Sequence, residues 1–209
     1  MYKSKISKEE VNTLPVAIFE GRITVVDDLS KVHEAIAVLN QQKIVGIDTE
    51  TKPSFKKGLL HKVALLQIST SDQCFLFRLN MIPFPKELGV FLSDVSIKKI
   101  GLALKDDFAA LNKHHTFKPA NIVDLQSIVK SYGILEMGLQ KIYAIIFHQK
   151  ISKSQRLTNW ESPVLTDQQL RYAATDAWAA LIIYQALMKE KKLTKKEIEL
   201  LETSVAEVS

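Results

Sequence analysis

The stretch Ile44-Val45-Gly46-Ile47-Asp48-Thr49-Glu50-Thr51 constrains this chain more than any other. Four uncharged residues, mostly β-branched, run directly into two carboxylates separated by a single residue. An apolar run of this length bounded by polar residues reads as a buried strand. Alternate side chains of a strand share a face, so Asp48 and Glu50 point the same way, with Cα atoms roughly 6.5–7 Å apart. Two carboxylates at the end of a buried strand repel each other unless a cation sits between them or one takes up a proton. The pattern points to a divalent-metal site. The competing reading is that the acids simply end the strand in solvent.

The rest of the chain supplies a setting for such a strand. Its 209 residues suit one domain with a real core. No stretch approaches the ~20 apolar residues of a membrane span, and the opening Met1-Tyr2-Lys3-Ser4-Lys5 leads to no apolar signal core. The single cysteine, Cys74, excludes an internal disulfide and a cysteine-based metal cluster. It suits a reducing compartment, so the cytoplasm is the expected location. Lys and Arg outnumber Asp and Glu, 28 to 23, an excess that permits a polyanionic partner without requiring one.

Residues 1–21 are polar and aperiodic and read as an arm lying over the domain. Ile23, Val25 and Val26 suggest a short strand, and Val32, Ala35, Ile36 and Leu39 have helical spacing, with Asp27 or Asp28 as cap. Thr51 to His61, with Pro53 and Gly58, reads as a loop. Val63 to Ile68 and Cys74 to Phe77 read as a hairpin. A helix through Leu88 and Phe91, a strand from Ile97 to Leu102 and a helix from Asp106 to Asn112 follow. Ile122-Val123 enters a helix that Gly133 stops, and Leu139 to Phe147 is apolar and helical. Strands and helices interleave around one hairpin, which predicts an α/β domain with a mixed central sheet flanked by helices.

Between Asp106 and Asp107 the helical face decides. Leu104, Phe108 and Leu111 share one side at i, i+4, i+7 spacing; Asp107 lies on that inward side and Asp106 off it. An inward charge needs a partner, whereas Asp106 is explained by the helix dipole. The best-defined helix begins at Thr166-Asp167-Gln168-Gln169, a capping box with Leu165 and Leu170 placed as a hydrophobic staple. Along it Leu170, Ala173, Ala174, Ala177, Trp178, Leu181 and Ile182 form a wide apolar stripe. Tyr172 and Asp176, one turn apart, stack beside that stripe. An aspartate walled in by alanines that admit a neighbouring sheet is no ordinary surface charge. The connection from Phe147 to Leu165 has little regular pattern but holds Lys150, Lys153, Arg156, Asn159 and Trp160. Cations interleaved with an aromatic could bind a single nucleic-acid strand, the phosphates on charge and a base on the ring. The alternative is a solvated loop with Trp160 tucked into the core.

Together, Asp48-x-Glu50, Asp107 and Tyr172-x-x-x-Asp176 resemble the three exonuclease motifs of the DEDD, or DnaQ-like, superfamily. The likeness is greatest to its RNase D and Werner-type branch. It extends over roughly residues 22–188 and is carried further by Val63 to Ile68, Asn159-Trp160-Glu161 and Tyr172-Ala173-Ala174-Thr175-Asp176-Ala177. Tyr172 is characteristic of the tyrosine subclass. The resemblance implies an RNase H-like three-layer fold and 3′-to-5′ release of 5′-mononucleotides from DNA or RNA. It implies two divalent ions, Mg²⁺ or Mn²⁺, about 3.5–4 Å apart, held by oxygen ligands. By the family's pattern Asp48 would bridge both ions, Glu50 and Asp176 would serve the ion that activates water, and Asp107 the other. Tyr172 would orient the nucleophile, and Asp124 and Asp167 would be helix caps. Lys153, Arg156 and Trp160 are the expected contacts to the substrate.

The implied unit is an exonuclease domain at residues 22–190, after an arm at 1–21 and before a helical tail at 191–209 with a second capping box at Thr194 and Glu197. The implied partner is nucleic acid with a free 3′ end, with no membrane and no obligate protein partner. The short stretch after Asp176 lacks the helical nucleic-acid-binding domain of RNase D-like proteins, which leaves DNA or RNA open. Two rivals remain. A haloacid-dehalogenase-type phosphatase has an apolar strand before Asp-x-Asp, but Glu50 stands where its second Asp belongs. A binding module of the same fold without turnover has no need of clustered acids.

Overall fold

The structure is a computed structural model that describes residues 2–54 and 61–206. Most of the predicted loop between Thr51 and His61 lies outside the described residues. In chain order the elements are α1 (Lys8–Thr13), β1 (Val16–Ala17), β2 (Arg22–Val26), α2 (Val32–Leu39), β3 (Ile44–Thr51), β4 (Val63–Ser69) and β5 (Gln73–Arg78). There follow α3 (Lys86–Ser93), β6 (Lys98–Gly101), α4 (Leu104–Leu111), β7 (Ile122–Asp124), α5 (Leu125–Ile128), α6 (Leu139–Phe147), β8 (Lys150–Ile151), α7 (Asp167–Leu187) and α8 (Lys195–Ala206).

Six strands form one mixed sheet in the order β2-β5-β4-β3-β6-β7. The β3–β4 and β4–β5 pairs are antiparallel, and the β2–β5, β3–β6 and β6–β7 pairs are parallel. This places β3, with its two acids, in the middle. Its apolar half is shielded on both faces, as the run Val45-Gly46-Ile47 requires. On one face Val45, Ile47, Leu66, Ile68, Phe75 and Phe77 pack with α2, α3 and α4. On the other, Leu65, Cys74 and Leu76 pack with Ala173 and Ala174 of α7, and Ile100 joins α5, α6 and the end of α7. The result is helices, sheet, helices, the expected three-layer α/β arrangement.

One contact sets the spacing of these layers. A Cβ built on Gly46 would lie 1.9 Å from the Ala177 carbonyl oxygen, so the backbones of β3 and α7 meet with no side chain between them. Only glycine allows that approach. The alanines of α7 do the same from the helix side, and Asp176 is thereby brought against Asp48.

The arm is more ordered than its sequence suggests. Ser7 and Glu10 form a capping box on α1, and Ile6, Val11, Ala17 and Phe19 are buried. A six-residue helix is too short to display a period. The strand β1 pairs in parallel with β8, more than a hundred residues away, a contact no local pattern reveals. Further bonds fasten the arm, among them Lys150 N donating to Pro15 O at 2.8 Å and Phe19 N donating to Thr175 Oγ1 at 3.0 Å.

Gly46→Ala is expected to destabilise the protein by about 3 kcal/mol or more, since a backbone carbonyl must move. Gly89→Ala is expected to stabilise it by about 0.4–1 kcal/mol, because the helical position α3 offers its Cβ ordinary contacts at 3.5–3.8 Å. Denaturant melts of the two variants check this; equal stability of both would contradict the close-approach argument.

Candidate active site

The end of β3 delivers Asp48 and Glu50 to the face covered by α7. There Asp176 joins them, and one carboxylate oxygen from each of the three lies within 4.8 Å of the others. Asp107, from the first turn of α4, stands beside this trio rather than within it. It accepts a hydrogen bond from the Thr49 hydroxyl, and Thr49 points to the sheet face opposite its two acidic neighbours. Asp107 is close enough to raise the pKa of both Asp48 and Glu50 by like charge. Asp106 is exposed, and Asp107 is half-buried, as the helical-face argument required.

Two residues that position the acids are not assigned that role by the sequence. Thr49 is one; its only signal is its place between the two acids. Asp124 is the other, and it does more than cap its own helix through Gln126 N. Its carboxylate also accepts from Ala103 N at 3.1 Å and Leu104 N at 3.0 Å. Ala103 has left-handed backbone, φ 59°, so this reception of α4 is what turns the chain and aims Asp107. Asp167 is exposed in the first turn of α7, where a helix-dipole role accounts for it.

The capping box of α7 is present, with Thr166 accepting from Gln169 N and Gln169 reaching back to Thr166 N. Gln169 also donates to Thr158 Oγ1 at 3.0 Å, and Arg78 donates to Ser162 O, so the preceding loop is tied down on either side of Trp160. Trp160 is the anchor of that loop and is 0 % exposed. Its ring lies 5.9 Å from that of Tyr172, within the cluster that includes Ala173 and Ala174. The expected stacking of a base on Trp160 is therefore corrected: no ring face is open, and the indole supports Tyr172 from beneath. Lys153 and Arg156 are exposed and do reach the site. They line, with Asp48, Asp176, Tyr172 and Leu139, a cleft of about 300 Å³. Leu139 and its neighbours at the start of α6 carried no signal beyond that of a core helix.

The electrostatics follow from crowding acids in a partly dry site. Burial, then Asp176, Glu50 and Asp107, hold the Asp48 pKa well above the carboxylate range. Burial, then Asp176 and Asp107, push Glu50 up to about 8, against a pull from Arg156. Burial raises Asp176 to about 7, while a hydrogen bond from Tyr172 and the charge of Lys153 pull it down. Burial and the adjacent carboxylates raise the Tyr172 phenol, so it stays protonated. The chemistry of this donor set fits a divalent ion: hard oxygen ligands gathered with their charges only partly offset by Lys153 and Arg156.

A 3′–5′ exonuclease family model matches residues 23–192. The chain belongs to that family. Its relatives include the mouse bifunctional 3′–5′ exonuclease/ATP-dependent helicase WRN, 33% identical over 186 residues. That match covers 84% of this chain and only 13% of the mouse protein. An Arabidopsis thaliana 3′–5′ exonuclease is 30% identical over 198 residues, covering 87% of this chain and 69% of the relative. Among solved structures, the Aedes aegypti Nibbler EXO domain superposes with a TM-score of 0.74 at 23% identity, covering 84% of this chain and 91% of that one. Escherichia coli RNase D superposes at 0.73 and 21% identity, covering 80% and 44%. These structural likenesses show that the chain has the RNase H-like fold.

The raised carboxylates fix a sign for pH. Glu50 moves from 4.5 to about 8 and Asp176 from 3.8 to about 7 on folding, so the metal-free folded state holds more protons than the unfolded chain in between. Its stability is full below these ordinary values and falls as pH rises towards 8. Chelator-treated protein is expected to melt at lower temperature at pH 8 than at pH 5.5, and Glu50→Gln is expected to flatten that fall. A Glu50→Gln profile parallel to wild type would show the carboxylate to be unperturbed.

Proposed function

We propose that this chain is a 3′-to-5′ exonuclease that releases 5′-mononucleotides from nucleic acid with a free 3′ end. The observation that carries the reading is the meeting of Asp48, Glu50 and Asp176 with Tyr172 at the floor of a basic-rimmed cleft. Asp48, Glu50 and Asp176 would hold one divalent ion and Asp48 with Asp107 a second, Mg²⁺ or Mn²⁺. When bound, such ions acidify a water and stabilise the leaving oxygen. Hydrolysis adds water across the terminal P–O3′ bond: the water oxygen bonds phosphorus, the P–O3′ bond breaks, and the shortened strand keeps a 3′ hydroxyl.

The side chains divide the remaining work. Tyr172 cannot serve as a base, because its environment holds the proton on the phenol. It is left to donate or accept a hydrogen bond beside Asp176 and thereby place the attacking water. Lys153 and Arg156, exposed on the cleft rim, offer charge to phosphates. We take residues 22–190 as the catalytic unit, with 1–21 as an arm and 191–209 as a helical tail. Among the described residues no helix is long and apolar enough to cross a membrane. A lone, buried Cys74 favours a reducing compartment, and we place the protein in the cytoplasm. One relative of known structure, Trypanosoma brucei RNase D, has been solved with RNA U12, which supports RNA as one substrate to test.

Matched end-labelled DNA and RNA, single-stranded or with recessed 3′ ends, test the reading with Mg²⁺ or Mn²⁺. Stepwise 5′-mononucleotides are expected, with no cleavage when the 3′ terminus is blocked and no turnover of para-nitrophenyl phosphate. Asp48→Ala should lower cleavage by at least ~10³-fold. Tyr172→Phe should lower kcat by roughly 10–10³-fold with binding nearly intact. Cuts within a circular single strand would refute the exonuclease direction.

The rim carries its own expectation. Replacing Lys153 and Arg156 with Ala should weaken binding of all sequences about equally. Each lost phosphate contact should reduce the log–log salt slope by about 0.7 on a single strand. An unchanged slope in filter-binding titrations would remove both residues from the interface.

A further inference from the structure

Gln67 of β4 is fully buried, and neither its amide nitrogen nor its amide oxygen has a hydrogen-bond partner. Among the described residues it is the one side chain left with both donor and acceptor unmet. Interiors rarely leave an amide in that condition without a use for it. Its place gives the use. In the β3–β4 register Gln67 stands directly opposite Asp48, which sets their Cβ atoms about 4.5–5.5 Å apart on one face of the sheet. That face is the one under α7: Leu65, two residues before Gln67, and Leu76, its partner on β5, both pack with Ala173 and Ala174. The amide is thus sealed beneath the helix that carries Asp176 and beside the acid most central to the site. Nothing apolar in that position would need two donors and an acceptor.

We propose that Gln67 is a positioning residue for Asp48, its amide N–H donating to the Asp48 carboxylate and fixing that group's angle when a divalent cation is held. The inference rests on the proposed function and names a residue that reading does not use. A carboxylate oxygen that ligates a cation keeps a second lone pair for a hydrogen bond, and the donor it accepts from steers the group. In the antiparallel ladder the donor is built into the strand next door, so the backbone hydrogen bonds of the sheet hold ligand and orienter in one frame.

Gln67→Met removes every hydrogen-bonding group while keeping an unbranched side chain of similar length. Three measurements are made on the full chain: the metal-free melting temperature, Mn²⁺ affinity from the electron paramagnetic resonance signal of free Mn²⁺, and kcat and KM on a 3′-end-labelled oligonucleotide. Expected are a metal-free melting temperature equal to or above wild type, because a buried orphan is relieved, and an Mn²⁺ dissociation constant raised about 10–100-fold. kcat should fall while KM stays put. An Mn²⁺ affinity within about twofold of wild type overturns the proposal. A metal-free variant that melts well below wild type overturns it as well, since the amide would then be serving the fold. If wild-type protein takes up no Mn²⁺ that Asp48→Ala abolishes, the functional reading itself fails; normal uptake by wild type with equal uptake by Gln67→Met sinks the positioning role alone.

Discussion

The backbone contact between Gly46 and Ala177 is what the site depends on. A carboxylate trio drawn from a strand and a helix needs those elements closer than side chains ordinarily permit. Glycine on β3 and alanine on α7 remove the obstruction. Once the backbones touch, the residues on either side of the contact are committed: Asp48 two residues after Gly46, Asp176 one before Ala177. The carboxylates then repel at short range in a partly dry setting. Their raised pKa values express that repulsion, and without a cation the folded chain relieves part of it by holding protons.

This arrangement explains why so much of the site could be read from sequence. Asp48 and Glu50 announce themselves because a buried strand seldom ends in two acids on one face, and Asp176 because alanines surround it at helical spacing. Periodicity places Asp107 inward and Asp106 outward, and the structure has Asp107 half-buried on the Thr49 hydroxyl with Asp106 exposed. What stayed illegible has a common cause. Trp160, the arm and the second task of Asp124 all depend on contacts between residues distant in sequence. Trp160 sits in a loop without a period, so its indole could equally have served solvent or core. Asp124 reads correctly as a cap, yet its reach to Ala103 and Leu104 is a property of neighbouring parallel strands. Periodicity reports on one element at a time.

The two halves of the cleft are built on different principles. Its floor is rigid: β3 and α7 in direct contact, Tyr172 backed by Trp160, Asp107 fixed through Thr49 and the Asp124-held turn. Its rim is a loop whose exposed cations are carried by long side chains. Chemistry requires fixed geometry, whereas a grip on the nucleic acid proposed as substrate requires contacts that can release. Charge on flexible stems provides the latter at little cost in order.

The pairing of β1 with β8 has a consequence for how that rim is held. Lys150 and Ile151 immediately precede Lys153 and Arg156, and their strand partner is Val16–Ala17 of the arm. The span matched by the family begins at residue 23, beyond that partner. The arm therefore works as a splint: its two-residue strand, with Pro15 and Phe19 tied on either side, holds the root of the cationic loop. A chain trimmed to the matched span would keep every carboxylate of the site and lose the strand that holds the root of the cationic loop.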